Sequence, residues 1–265
     1  MGDHRPNRWH APADCASTPS TFTGNIGDNF QSGSAMCPFL TGFLFFVGLN
    51  PARGEQLARH CARRRYAEHE LVLDFDDPST DVYFIVSGDV RVLIRTAAGK
   101  EMIFGDFGPG KFFGEMAAID GAKRSANVTA LTNAELLLVP PAVFKEIVFG
   151  EPEICERLLR LLTLRVRELN TRLFERSVLD LKHRLYSELL RMSAPRKGAP
   201  EQAIVSPPPF QHDLAARIGC RREQVSRELS AMIDEGLAEK IRGGLVLLRP
   251  SLLEKRVQEA LNEAE

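Results

Sequence analysis

Phe113-Gly114-Glu115-Met116-Ala117-Ala118, followed shortly by Arg124-Ser125-Ala126, is the stretch on which the reading of this chain turns. Glycine lets a backbone come close to a bound group, and a carboxylate such as Glu115 offers the acceptors that a ribose 2′-hydroxyl needs. If Met116 and Ala117 open a short helix, their amides point at an anion, and Arg124 adds a planar, permanent cation for the same anion. The chemistry is that of a phosphate held beside a sugar hydroxyl. A lone Gly-Glu with a later arginine is usually a solvated turn, so the flanking pattern has to decide.

That pattern is β-rich. Between Tyr66 and Val139, the runs Val82–Val86, Val90–Ile94, Met102–Phe104 and Leu136–Val139 read as short strands, with turns at Ser87-Gly88-Asp89 and Ala98-Gly99-Lys100. Strands before and after the quoted stretch predict a small β-roll or jelly-roll-like barrel. Gly105-Asp106-Phe107-Gly108-Pro109-Gly110-Lys111 comes near a P-loop, but Phe112 stands where a magnesium-binding Ser or Thr is required. Strand rather than strand-then-helix surrounds it, which rejects an NTPase.

Gly114, Glu115, Ala117, Arg124 and Ala126 fall where the phosphate-binding cassette of cyclic-nucleotide-binding domains has them, and Ser125 takes the neighbouring hydroxyl position. The segment thus resembles the cyclic AMP receptor protein (Crp/Fnr) family and the regulatory subunits of cyclic-nucleotide-dependent kinases. The resemblance implies a cyclic nucleotide bound by Gly114, Glu115, Met116, Ala117, Arg124 and Ser125. Cyclic AMP and cyclic GMP both remain open, with Ser125 leaning towards cyclic AMP. Aligning Leu179-Asp180 on the family's hinge puts the base-contacting pair near Leu169 and Asn170. Leu169 departs from the hydroxyl usual there, which leaves Asn170 and Thr171 as candidates for the base.

The 265 residues allow one large or two modest domains, and 44% hydrophobic with 26% charged content is ordinary for a soluble globular chain. A net charge of −1 advertises no nucleic acid globally, so a DNA-binding surface has to be a local cluster. Cys15, Cys37, Cys61, Cys155 and Cys220 are scattered without a CxxC pair, which fits a reduced, cytoplasmic compartment and offers no metal-ligand spacing. The apolar run Phe39–Val47 is far shorter than the roughly 20 residues of a membrane span. Met36, just upstream of it, offers a second start for translation.

Residues 1–35 are rich in Asp, Asn, Ser, Thr, Gly and Pro and read as a disordered tail. From Pro51, the residues Leu57, Ala58 and Cys61 suggest an amphipathic helix that ends in Arg63-Arg64-Arg65. Pro141–Phe149 predicts a helix, and Pro152 opens a longer one in which Leu158, Leu162, Val166, Leu169 and Leu173 draw an apolar stripe. In the family this is the central helix that pairs with its twin, and the heptad-like spacing suits a homodimer.

Leu181, Leu185, Leu189 and Met192 mark another helix, and Phe210 to Ile233 read as a helix-turn-helix with Gly219 at the turn. Arg222, Glu223, Ser226, Arg227 and Ser230 fall within about 140° of one face, opposite Val225, Leu229 and Met232. Arginine can fork onto guanine and a carboxylate can accept from cytosine, so this face suits base edges of double-stranded DNA. A purely phosphate-binding helix would have no use for Glu223. Gly243-Gly244, between two short strands within Ala238–Leu247, supplies a wing.

The segment Gly219–Arg227 resembles the recognition helix of the same family, with Arg222, Glu223 and Arg227 at its base-reading positions. That implies a TGTGA-like half-site, with recognition helices about 34 Å apart in a dimer. Arg221 adjoins them, and Gln211 falls where the family often has an arginine on phosphate.

The expected fold is therefore α+β: a tail at 1–50, a cyclic-nucleotide-binding β-roll at 51–151, a dimerisation helix at 152–177 and a winged helix-turn-helix at 178–265. The expected role is a homodimeric transcription regulator acting with RNA polymerase, not an enzyme, since no catalytic constellation appears. The alternative is the same fold sensing redox state or another small molecule, or binding DNA constitutively. The presence of both Glu115 and Arg124 weighs against it.

Overall fold

The computed structural model describes residues 43–96 and 99–263. Most of the expected tail, Met36, Cys15, Cys37 and Ala98 of the second turn lie outside the described residues. The first module contains β1 (Ala62–Tyr66), β2 (Leu71–Leu73), β3 (Val82–Ser87), β4 (Val90–Arg95), β5 (Glu101–Phe107), β6 (Phe112–Phe113), β7 (Asn127–Ala130) and β8 (Ala134–Val139). They form two four-stranded antiparallel sheets, ordered β1-β8-β3-β6 and β2-β7-β4-β5.

β3 shows why its sequence is an unbroken apolar run. Tyr83 and Ile85 face the barrel interior with Leu73, Val90, Phe113 and Val128. Val82 and Phe84, on the opposite face, join a second core under the helices α1 (Pro51–Ala58), α3 (Pro141–Gly150) and the start of α4 (Pro152–Val178). A strand buried on both faces has no polar side to show. Each large apolar side chain buried there contributes roughly 1.5–3 kcal/mol.

Two boundaries differ from expectation. Phe43, Phe45, Phe46 and Leu49, inside the segment assigned to the tail, are buried in the helical core. The Phe45 ring lies 4.6 Å from that of Phe112, and Arg157 of α4 donates to the Phe45 carbonyl. This segment belongs to the roll. Arg63-Arg64-Arg65, read as a helix end, lie instead in β1, whose register sets Arg63 against Leu137 and Arg65 against Glu135. Arg63 and Arg65 lie 2.9 and 3.4 Å from the Glu135 carboxylate. The strand leaves residues 62–65 exposed, so no apolar period marked it.

The apolar stripe of α4 divides. Leu158 is buried and Leu162 half-buried against the roll, whereas Val166, Leu169 and Leu173 are exposed, with Leu164 and Phe174 beside them. Beyond Leu179 the chain enters α5 (Leu181–Met192), capped by Asp180, whose Oδ1 accepts from the His183 amide at 2.9 Å. An ion pair between Arg191 and the buried Glu175, at 2.8 Å, fastens α5 back onto α4.

The second module holds β9 (Ala194–Arg196), β10 (Ala199–Val205), α6 (Gln211–Ile218), α7 (Arg222–Asp234), β11 (Ala238–Ile241), β12 (Gly244–Leu247) and α8 (Pro250–Asn262). Its sheet runs β11-β12-β10-β9, and its core joins Leu185, Leu189, Leu214, Val225, Leu229, Leu247 and Leu253. Gly219 turns α6 into α7 with φ at +73°, and a Cβ there would lie 2.5 Å from the Arg176 guanidinium of α4. The α+β order of roll, long helix and winged helix-turn-helix is as expected.

Candidate functional site

The cassette is built around Gly114, which caps α2 (Glu115–Asp120) in a left-handed conformation. A Cβ on Gly114 would sit 2.7 Å from Arg124 Nη1 and 2.9 Å from the Asp81 carbonyl oxygen. Glycine is thus needed twice, for the backbone angle and for the close approach. Amides at the start of a helix have no intrahelical partner, and those of Met116 and Ala117 lie in the first turn of α2.

Glu115 and Arg124 are each only 3% exposed. Arg124 donates from Nε to Ser79 Oγ at 3.1 Å, from Nη1 to the Gly114 carbonyl at 3.0 Å and from Nη2 to the Asp81 carbonyl at 2.7 Å. Its guanidinium lies 5.7 Å from the Tyr83 ring centroid. Burial draws its pKa below the usual arginine value, with Tyr83, Asp81, Asp77 and Glu115 pulling the other way. Arginine stays protonated in proteins and offers five N–H donors, so the fork keeps donors for an anion. The loop before β3 holds the backbone in place: Arg124 donates to the Asp77 carbonyl and the Asp76 amide to the Arg124 carbonyl, both at 2.9 Å.

The Glu115 carboxylate already has a protein partner, the guanidinium of Arg165 on α4. Arg165 also donates to the Phe112 carbonyl at 3.2 Å and lies 5.5 and 5.7 Å from the ring centroids of Phe107 and Phe112. Sequence reading passed over this residue. Its signal was a charge at position 165 between Leu158, Leu162 and Leu169, on the stripe that faces the roll.

Ser125 is exposed beside the cassette, its Oγ 3.8 Å from Met116 Sδ. Asn170 and Thr171 are not brought to the cassette of their own chain. Both are exposed, and Thr171 donates to the Arg167 carbonyl at 3.0 Å. Five and six positions after Arg165, they are turned about 120–140° away round the helix.

In the second module, Val225, Leu229 and Met232 are buried, and Arg222, Glu223 and Arg227 project into solvent. Ser226 is half-buried, 3.4 Å from Gln211 Nε2 on α6. Arg221 is the cap of α7, its amide donating to Gln224 Oε1 at 3.0 Å. The face therefore begins at Arg222, with Arg221 beside it. Ser206 Oγ donates to the Gly243 carbonyl at 2.9 Å and ties down the wing turn. Among the described residues no group of His, Cys, Asp and Glu is arranged to hold a metal, and no helix is long and apolar enough to cross a membrane.

Comparison with known proteins matches both halves. The cyclic nucleotide-binding domain model covers residues 63–151, and the Crp-like helix-turn-helix domain model covers residues 183–256. The cyclic AMP receptor protein of Thermus thermophilus is 30% identical over 219 residues, 82% of this chain and 97% of that relative. The cAMP-activated global transcriptional regulator Vfr of Pseudomonas aeruginosa is 28% identical over 69% of this chain and 87% of its own. The c-di-GMP-responsive regulator CLP of Xanthomonas campestris shares the fold with a TM-score of 0.63 at 24% identity, covering 75% of this chain and 99% of that one. With a nucleotide cassette in the first module and a reading helix in the second, the chain belongs to the cyclic AMP receptor protein (Crp/Fnr) family of cyclic-nucleotide-binding transcription regulators.

Proposed function

We propose that the effector is cyclic AMP, and that its binding favours a homodimer whose two α7 helices read a TGTGA-like palindrome. The observation that carries the effector assignment is the burial of Glu115 and Arg124 together at the Gly114 turn. Buried charges are paired or hydrogen-bonded, and Arg124 still has N–H donors that no protein group takes. In this reading the phosphate takes the remaining Arg124 donors and the amides of Met116 and Ala117, and the ribose takes Glu115. Ser125 stands at the mouth of the site. Naming of the relatives as cAMP-activated supports the same choice over cyclic GMP.

The dimer is supported by Val166, Leu169 and Leu173, an exposed apolar face within about 60° on one long helix. Asn170 and Thr171 then approach a nucleotide from the second chain. On DNA, Arg222, Glu223 and Arg227 contact base edges while Gln211, Arg221 and Ser226 position the helix on the backbone. The complex acts on RNA polymerase in the cytoplasm. Cys61 and Cys220 are poor candidates for a redox-responsive thiol, because burial raises the pKa of Cys61, to about 11, and that of Cys220. A redox-responsive thiol needs the opposite shift.

Calorimetric titration with cyclic AMP, cyclic GMP and cyclic di-GMP, followed by gel shift on a TGTGA palindrome with and without the bound nucleotide, tests this reading. It requires cyclic AMP to bind tightest and to raise DNA affinity. Indifference to millimolar cyclic AMP removes the effector assignment and leaves the DNA-reading module.

A further inference from the structure

A seam of ion pairs joins the roll to the helix-turn-helix. Arg91 on β4 forks onto Asp106 on β5, with Nε 2.7 Å from Oδ1 and Nη2 3.0 Å from Oδ2. Its Nη1 reaches across to Asp213 of α6 at 2.8 Å. Asp106 also accepts from Arg217 of α6 at 2.6 Å. The side chains of Asp213 and Arg217 are only 9% and 5% exposed.

Each of these charges has a second partner within its own module. Asp213 has His212 at 2.9 Å, Arg217 has Glu188 of α5 at 3.6 Å, and Arg91 and Asp106 have each other. Separating the modules breaks the crossing bonds and leaves Arg91, Asp106 and Arg217 with an ion-pair partner and Asp213 with the His212 ring. Partners inside each module lower the cost of opening the seam, because a stranded buried charge is what makes such pairs costly to break.

It also touches the nucleotide cassette. Asp106 precedes Phe107, whose ring lies against the Arg165 guanidinium, and Arg165 pairs with Glu115. A ribose hydroxyl bonded to Glu115 shares that carboxylate with Arg165, which sits against the strand that carries Asp106. The cassette and the seam thus meet on β5, and a nucleotide moves the seam only by binding its open and closed arrangements with different affinity.

We infer that the pairs from Arg91 and Asp106 to Asp213 and Arg217 form a releasable latch, which holds the helix-turn-helix against the β4–β5 edge in the arrangement of lower DNA affinity. The direction of coupling rests on the proposed cyclic nucleotide reading; the latch itself does not.

The test compares the full chain with Asp106→Asn and, as an independent break, Arg91→Gln, all without nucleotide. Amide hydrogen exchange is followed in Glu101–Phe107 and Gln211–Ile218, and DNA affinity is measured on the TGTGA palindrome at fixed salt. Both variants are expected to exchange faster in those two segments and to bind DNA about fivefold or more tightly, with Asp106→Glu restoring wild-type exchange. Wild-type exchange and DNA affinity in both variants overturn the latch, as does faster exchange with unchanged or weaker DNA binding. If wild type ignores cyclic AMP, the effector reading fails, yet the nucleotide-free comparison still decides the latch.

Discussion

Replacing Gly114 with alanine separates the two demands on that position. The left-handed backbone costs a non-glycine residue about 1–2 kcal/mol, and Gly121, at the other end of α2, has φ at +74° with open space where its Cβ would go. Gly121→Ala therefore measures the backbone cost alone. At Gly114 (φ +84°) the new methyl also meets Arg124 Nη1 at 2.7 Å and the Asp81 carbonyl at 2.9 Å. Neither gives way easily, since Asp81 O is backbone and Arg124 is held by three hydrogen bonds.

Overpacking of this kind costs about 1–3 kcal/mol more. At about 2–4 °C per kcal/mol for a chain of this size, Gly114→Ala should melt roughly 2–12 °C below Gly121→Ala. Circular-dichroism melts measure that gap, and calorimetry should find cyclic AMP affinity reduced more than about tenfold for Gly114→Ala and within about twofold of wild type for Gly121→Ala. Equal melting temperatures, or equal nucleotide affinities, would refute the argument that the close approach shapes the cassette.

Arg227→Ala should cost about 1–3 kcal/mol of affinity for the palindrome and relax preference at one base, whereas Gln211→Ala should weaken all sequences alike; gel shifts on single-base variants distinguish them. Leu169→Glu with Leu173→Glu, on the exposed face of α4, should leave the roll folded and shift the chain to monomer in light scattering. Burial works to raise the Asp180 pKa, but the His183 amide and ring outweigh it and hold the carboxyl below its ordinary range. That depressed value adds stability above about pH 4 and loses it as pH falls through the folded value. Asp180→Ala should lower stability by about 1 kcal/mol at neutral pH and flatten the acid side of the melting profile. With its pKa pushed up to about 11 by burial, Cys61 should resist iodoacetamide at pH 8 in the folded chain and react once urea unfolds it.

What the sequence made legible was local. The Gly114 turn, the Glu115 and Arg124 charges, and the alternation of Val225, Leu229 and Met232 against Arg222, Glu223 and Arg227 all lie within short windows whose period or spacing carries the message. Arg165 was hidden because its partner Glu115 is distant in sequence and comes close only when α4 packs on the roll. The seam was hidden for the same reason, since Arg91 and Asp213 belong to different modules. Asn170 and Thr171 were placed by alignment on a hinge, while the turn of the helix sends them to the other face. Arg63-Arg64-Arg65 misled because cations suit a helix end and a solvent-facing strand equally, and only pairing with β8 decides.

Those three arginines have a further effect. Among the described residues β1 has a neighbour on one side only, so its other rim offers backbone groups to any passing strand. Charged side chains along an edge strand are a common guard against sheet-to-sheet clumping, even where, as here, two of the three are paired with Glu135. Self-association at the rim is thereby discouraged, which leaves the greasy helix as the better surface for contact between copies.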